Sequence, residues 1–386
     1  MPPIYLDYNA TTPIDPVVFA AMEPYLRDHF GNPSSDHAYG ERTRAAISRA
    51  REQVAALIGA ESETIVFTGS GSEANNLALK GVALSYQTRG NHIITSAIEH
   101  PAITAPLRFL ERQGYGITIL PVDRDGLVDP ADVSAAITDQ TILVSIMHAN
   151  NEVGTIQPIR VIADIAHARG VLLHTDAAQT IGKLPVSVEN LGVDLLTVVG
   201  HKFGAPKGIG ALYVRQGVML EPLIHGAGHE DGRRAGTENV SAIVGLGAAA
   251  AQAHVHIPTY QDHVQPLRDR LQSILESRLP ATVVNGHPVA RLPNTLNISF
   301  PGVNAAALLA AIRAEVACST GSACHAGHAE PSAVLLAMGR DATLAAAALR
   351  LSLSWQTTSA EIEHAAACIL AAVEEYTFLH ASSTAS

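Results

Sequence analysis

The residues most suited to chemistry sit at the ends of short apolar runs. In "DLLTVVGHKFGAPKGIG" Lys202 follows such a run and precedes a glycine-rich turn. A lysine at a sheet edge with little charge nearby can lose its proton and act as a nucleophile. Lysine is scarce here: of 25 Lys and Arg residues only Lys80, Lys183, Lys202 and Lys207 are lysines. Spacing alone does not separate Lys202 from Lys207, and a surface role is open to either. In "LLHTDAAQ" Asp176 closes a second apolar run, with Gln179 three residues on. An acid at the carboxyl end of a strand can meet a cationic ligand, or cap the next helix.

Three further segments join these. "FTGSGSEANN" (Phe67–Asn76) is a run, a Gly/Ser turn and a helix start. Its backbone N–H groups and helix dipole suit a phosphate, with the hydroxyls of Ser70 and Ser72 as added donors. It lacks the pattern of a dinucleotide or Walker-type loop, and an ordinary serine-capped turn is its structural alternative. "IEHPAI" carries His100, and "HANNEVGTIQP" carries Asn150 and Asn151. A phosphate cradle, a carboxylate, a Schiff-base lysine and a histidine at the strand ends of one sheet form the set that pyridoxal phosphate needs.

The segment "ACSTGSACHAGHAEPS" (Ala317–Ser332) holds two of the three cysteines, Cys318 and Cys324, beside His325 and His328. It reads as a metal site, a redox pair or a loop carrying one working thiol. The spacing C-x5-C-H-x2-H departs from compact zinc patterns, and no metal is expected.

The elements that position these residues follow from periodicity. Asp15-Pro16 predicts a helix to about residue 29, and a second helix covers 38–58. Strands are expected at 64–68, 92–96, 116–122, 141–147, 171–177, 194–199 and 210–215, with helices at 72–86, after Pro101 and near 158–169. Short apolar runs alternating with helices predict an α/β fold, a mostly parallel central sheet covered by helices. From about residue 260 the order changes: a helix at 260–279, strands near 281–284 and 295–300, a helix at 304–315, the strand "ALRLSLS" and a helix from Ser359. This predicts a smaller α+β domain. The expected division is a large domain over 15–259 and a small one formed by 1–14 and 260–386, carrying the loop at 317–332.

The chain has 386 residues, is 47% hydrophobic and 16% charged, and has a net charge of −11. It can bury large cores. Its negative charge argues against direct nucleic-acid binding through a basic face. The start "MPPIYLDYNATT" has no basic residue and no long apolar core, so no secretory signal is expected. The apolar stretch 240–261 contains Gln, Pro and two His, and suits a buried helix better than a membrane span. Three cysteines are too few for a disulfide framework and suit a reducing cytoplasm.

In order, "YLDYNATT", "GNPSS", "FTGSGSEANN", "EHPAI", "HANNEVGTIQPI", "HTDAAQTIGK", "HKFGAPKGIGALYVR", "RRAGTENV" and "CSTGSAC" resemble the motifs of the cysteine desulfurases, which are class V, fold-type I pyridoxal-phosphate enzymes. The resemblance runs from Tyr5 to about Glu363 and favours the iron–sulfur-assembly and nitrogen-fixation branch. It implies a homodimer converting L-cysteine to L-alanine and handing sulfur to an acceptor protein, a scaffold or a thiolation enzyme. Lys202 would hold the cofactor. Asp176 would pair with its ring nitrogen, Gln179 would reach the ring hydroxyl, and His100 would stack on the ring and move protons. Gly71, Ser72 and His201 would bind phosphate, with Thr237 reaching across from the second subunit. Asn151 and Arg350 would receive the substrate carboxylate, and Cys324 would take the sulfur as a persulfide.

The sequence departs from the family pattern at Val199-Gly200-His201, where Ser-Ala-His is frequent. One phosphate hydroxyl is thereby missing, with Ser70 the nearest substitute. Rival readings are a selenocysteine lyase, a cysteine C–S lyase that uses no protein thiol, and a non-catalytic relative. Lys202 argues against the last.

Overall fold

The computed structural model describes residues 2–320 and 331–381. The chain begins with β1 (Ile4–Tyr5), α1 (Pro16–Arg27) and α2 (Ala38–Ile58). Asp15 caps α1 by accepting from the Val17 N–H, and Pro16 takes the first helical position, where its missing N–H costs nothing. Gly59 ends α2 at φ 64°, the left-handed region that glycine enters without a Cβ penalty.

Strands and helices then alternate: β2 (Ile65–Thr68), α3 (Gly71–Ser85), β3 (His92–Ser96), α4 (Pro101–Arg112), β4 (Gly116–Leu120), α5 (Pro130–Ala136), β5 (Thr141–Ser145), α6 (Ile159–Ala168), β6 (Leu172–Asp176), α7 (Val188–Leu191), β7 (Leu195–Val199) and β8 (Gly210–Val214). Seven of the described strands form one sheet in the order β2-β8-β7-β6-β5-β3-β4. Only β8 is reversed, antiparallel to both β2 and β7. Side chains alternate between the faces. Ile94, Val144, Leu173 and Leu196 pack with α2 and α6 on one face; Ile93, Leu143, Leu172 and Leu195 pack with α3 and α4 on the other. Since β2, β3, β5, β6 and β7 share one direction, their carboxyl ends lie along a single edge.

The sequence predicts a helix beginning near residue 260, but the structure has no break there. α8 (Val240–Thr259) runs through a π-turn at Tyr260–Val264 into α9 (Gln265–Arg278). Pro258 sits within α8, and Pro266 lies in the first turn of α9, directly after the π-turn, where the Gln265 N–H reaches back to the Tyr260 carbonyl; a π-turn is one way a helix passes a proline without breaking. The whole helix, Val240–Arg278, is long and apolar enough to cross a membrane. Ile243, Leu246, Ala249 and Ala250 on α8 are buried with Val18 and Met22 of α1 and Ala50 and Val54 of α2 in the first core.

The chain ends with β9 (Val283–Asn285), β10 (Thr295–Ser299), α10 (Ala305–Ile312), β11 (Val316–Ala317), α11 (Ala333–Ala337), α12 (Ala342–Ala346), β12 (Ala348–Ser352) and α13 (Ser359–Ala381). The antiparallel sheet β12-β10-β9 packs with α9, α10 and α13 in a separate core that includes Leu6. β1 pairs in parallel with β11. Residues 319 and 332, which flank the undescribed segment, are both fixed. Ser319 forms a two-way backbone bridge with Arg350, and Ser332 donates from Oγ to Glu152 Oε2 at 2.5 Å.

Candidate active site

A cavity of about 420 Å³ opens at the carboxyl edge of the large sheet. The parallel strands bring their terminal residues to its walls: Ser70, Gly71 and Ser72 after β2, His100 after β3, Asn151 after β5, Asp176 at the end of β6 and Gln179 after it, and His201 and Lys202 after β7. Arg350 joins them from β12. Thr237 stands exposed on the loop before α8, outside this cavity. Cys324, His325 and His328 lie outside the described residues.

The four lysines separate cleanly. Lys207 is exposed. Lys80 lies over the Phe109 ring. Lys183 is fully buried and does not line the cavity. Lys202 lines it, on a tight turn over Gly200–Lys202, and donates to the backbone carbonyls of Asn9 at 2.6 Å and Ala10 at 2.8 Å. Burial, reinforced by Arg350 and opposed by Asp176 and Asp7, brings its pKa down to about 8. It therefore offers a free amine at lower pH than an ordinary lysine does.

Asp176 serves two ends. Oδ1 accepts from the Ala178 N–H at 2.9 Å, and Oδ2 accepts from Asn75 Nδ2 at 2.7 Å. Asp176 thus closes a turn at Ala178 and caps no helix, since the next one, α7, begins at Val188 with Ser187 as its cap. His100 caps α4 through Nδ1, which accepts from the Ala102 N–H at 3.1 Å. A backbone N–H only donates, so the neutral ring carries its proton on Nε2. Burial lowers the His100 pKa, with Asp176 opposing and Lys202 reinforcing the shift; the ring is neutral near pH 7. His201 is pushed down to about 4 by burial and the neighbouring Lys202 and Lys207.

The Gly/Ser turn is held by close packing. Ser70 caps α3, accepting from the Glu73 N–H at 3.0 Å, and keeps its hydroxyl hydrogen to donate. A Cβ on Gly71 would come 2.3 Å from Val199 Cγ2, and one on Gly210 would come 3.0 Å from Gly71 N. Val199 thus fills the space beneath the turn with a methyl group. Glycine leaves the first-turn N–H groups of α3 at the cavity wall, where they have no intrahelical acceptor.

Four residues that the sequence reading passed over complete the site. Asn9 is a buried hub: Nδ2 donates to Thr295 Oγ1 and Asn151 O, while Oδ1 accepts from Lys183 Nζ and Asn294 Nδ2. Its carbonyl receives Gln179 Nε2 as well as Lys202. Lys183 also donates to Gln179 Oε1 at 2.9 Å, which fixes the orientation of that amide; burial holds its pKa well below the usual lysine value. Asp7 accepts from Arg350 Nη2. Buried Glu99, pushed up to about 8, accepts from Ser96 and Met147. Asn9 and Asp7 stand in "YLDYNATT", Lys183 ends "HTDAAQTIGK" and Glu99 opens "EHPAI"; their inclusion in ordered motifs was the available signal.

These residues fit pyridoxal phosphate. The donor set at the helix start suits its phosphate, the Asp176 side chain its ring nitrogen, the fixed Gln179 amide its ring oxygen and Lys202 its aldehyde. Asn75 Oδ1 is buried without a partner among the described residues. This leaves a polar atom beside Asp176 that a protonated or hydrated ligand would satisfy.

Comparison with known proteins agrees with this fit. The family model described as aminotransferase class-V matches residues 4–364. A cysteine desulfurase IscS of Dictyoglomus turgidum is 48% identical over 362 residues, covering 94% of this chain and 92% of the relative. A solved structure described as a NifS-like protein superposes with a TM-score of 0.90 at 36% identity, covering 98% of this chain and all of the other. Another, described as SspA in complex with cysteine, has a TM-score of 0.80 at 38% identity, covering 91% and 98% of the two chains.

Proposed function

Because the chain belongs to the aminotransferase class-V family, and within it to the cysteine desulfurases, we propose that its cavity converts L-cysteine to L-alanine and passes the sulfur to Cys324. The observation that carries this reading is the convergence of Lys202, Asp176, Gln179 and Arg350 on one cavity. When bound, pyridoxal phosphate supplies an electron sink for the substrate's α-carbon.

The chain's own groups do the rest. Arg350 and Asn151 hold the substrate carboxylate, and Arg350 brings a charge that the buried wall does not solvate. Lys202 Nζ, with its lowered pKa, takes the proton from the α-carbon. His100, neutral with its proton on Nε2, handles protons at the cavity mouth. The Cys324 thiolate attacks the substrate sulfur; the carbon–sulfur bond breaks, a sulfur–sulfur bond forms, and Cβ gains a proton. Cysteine plus protein thiol thus gives alanine plus protein persulfide, with atoms and electrons balanced.

In this reading the cofactor belongs to a domain spanning 15–259, and the sulfur loop to a smaller one built from 1–14 and 260–386. The separate hydrophobic cores support that division. The enzyme works as a cytoplasmic homodimer, in which Thr237, exposed before α8, reaches the phosphate of the partner's site. The sulfur goes on to an acceptor protein, for iron–sulfur cluster assembly or for the sulfur modification of nucleic acids by a thiolation enzyme.

Mass spectrometry after cysteine treatment tests the assignment. Wild type gains 32 Da per transferred sulfur (roughly one sulfur atom, on the persulfide chemistry of cysteine), and Cys324→Ser does not. Full alanine production by Cys324→Ser would instead support a lyase that uses no protein thiol. A much faster turnover of selenocysteine than of cysteine would favour a selenocysteine lyase.

A further inference from the structure

Cys368 takes no part in the site described above. It lies one helical turn from His364 on α13, and Glu315 approaches both from the residue before β11. Glu315 Oε2, His364 Nε2 and Cys368 Sγ all lie within 4.8 Å of one another. His364 Nε2 is 3.2 Å from the Glu315 oxygen and 3.5 Å from the Cys368 sulfur. Tetrahedral Zn²⁺, with bonds of about 2.0–2.1 Å to N and O and about 2.3 Å to S, separates its donors by about 3.3 Å for N···O and about 3.5 Å for N···S. The two separations in the structure match those edges.

The ring geometry points the same way. In a hydrogen-bond relay an imidazole uses its two nitrogens on opposite sides. Here one nitrogen faces both the thiol and the carboxylate. A neutral ring nitrogen must accept from the thiol or donate to the carboxylate, and cannot do both. A cation between the three atoms satisfies them all.

We propose that Glu315, His364 and Cys368 form a site for a thiophilic divalent cation of the Zn²⁺ type, with solvent completing its coordination. The Cys368 proton is released to solvent on binding, and the thiolate and carboxylate balance the metal's two charges. Burial and Glu315 raise the Cys368 pKa, so without metal the sulfur stays protonated. The Glu315 and His364 side chains are 61% and 55% exposed, which makes the metal exchangeable. Its mechanical effect is local. The Glu315 carbonyl accepts from the Ile4 N–H at 2.8 Å, so a metal here fastens α13 to the paired strands β1 and β11.

The test is Zn²⁺ titration of reduced holoenzyme not exposed to cysteine, followed by isothermal calorimetry and by metal analysis after desalting. Wild type and Cys324→Ser should each bind about one equivalent. His364→Ala and Cys368→Ser should each weaken binding at least tenfold while retaining cysteine turnover, and Glu315→Gln should weaken it without altering the melting curve of the metal-free protein. The proposal is overturned if wild type shows no saturable binding, if binding survives both His364→Ala and Cys368→Ser, or if it is lost in Cys324→Ser, which would place the metal on the sulfur loop.

Discussion

Arg350 Nη2 donates to Asp7 Oδ1 at 2.7 Å, and Nη1 donates to the Asn151 carbonyl at 3.1 Å. The guanidinium assigned to the substrate carboxylate therefore already holds one carboxylate of the protein. Its remaining nitrogen, Nε, is buried without a partner among the described residues. Asp7 and Asn151 aim the group, and in the proposed reaction it also takes the substrate carboxylate.

Arg350→Lys keeps the charge but loses the planar fork that makes this triple use possible. The KM for L-cysteine should rise at least tenfold, with a smaller fall in kcat. An unchanged KM in steady-state kinetics would remove Arg350 from substrate binding. Asp7→Asn removes the counter-charge of a guanidinium that is only 6% exposed, and should lower stability by about 1–3 kcal/mol in urea melts.

Gly71→Ala tests the phosphate turn. The added Cβ, 2.3 Å from Val199 Cγ2, must displace the first turn of α3. Pyridoxal phosphate affinity, read by fluorescence quenching, should fall at least tenfold. Val199→Ala in the same chain should recover part of that loss, and an equal affinity in single and double variants would show that the packing is not the cause.

Asn9→Ala removes the side-chain partners of Lys183, Asn294, Thr295 and the Asn151 carbonyl at once. Buried groups left unsatisfied cost about 1–3 kcal/mol each, with partial relaxation. The expected loss is about 2–4 kcal/mol by chemical denaturation, together with faster cofactor release, because the segment carrying the Lys202 acceptors is freed. A stability within 0.5 kcal/mol of wild type (about the spread of ordinary surface substitutions) would contradict the hub.

Much of this site was legible because strand ends are legible. Lys202, Asp176 and His100 each follow an apolar run, and parallel strands of one sheet must deliver such residues to one edge. Residues brought in from another part of the fold were not legible by that logic. Asn9 and Asp7 precede the first long helix, and nothing in their local pattern says that they meet Lys202 and Arg350. Lys183 follows a glycine as a surface lysine often does; only the two amide oxygens around it explain its burial. The reversal of β8 was within reach: the ten residues between β7 and β8 are too few for the helical crossover that a parallel pair needs. The continuous helix through residue 260 was not, since a π-turn that joins two helices leaves no mark in the apolar pattern.

Glu152 should give a pH signature. Burial raises its pKa from 4.5 to about 7, against the opposing effects of Ser332 and Arg350. Between those values the folded protein keeps a proton that the unfolded chain has lost, so this group's contribution to stability falls as pH rises through the window. Glu152→Gln does not titrate. The stability of wild type relative to the variant should fall by about 2–3 kcal/mol from pH 4.5 to pH 7.5. The buried His148 and His174, both lowered to about 4, slope the other way but cancel in the comparison. A difference that does not vary with pH would show that Glu152 ionises normally.

The bridge between Ser319 and Arg350 also sets a leash. Cys324 is five residues from Ser319, and five extended residues span at most about 17 Å. The anchor of that leash is the residue assigned to grip the substrate. In the proposed reaction, sulfur carried on Cys324 is therefore set down within about 17 Å of Ser319, and a receiving protein would have to bring its acceptor atom within that reach.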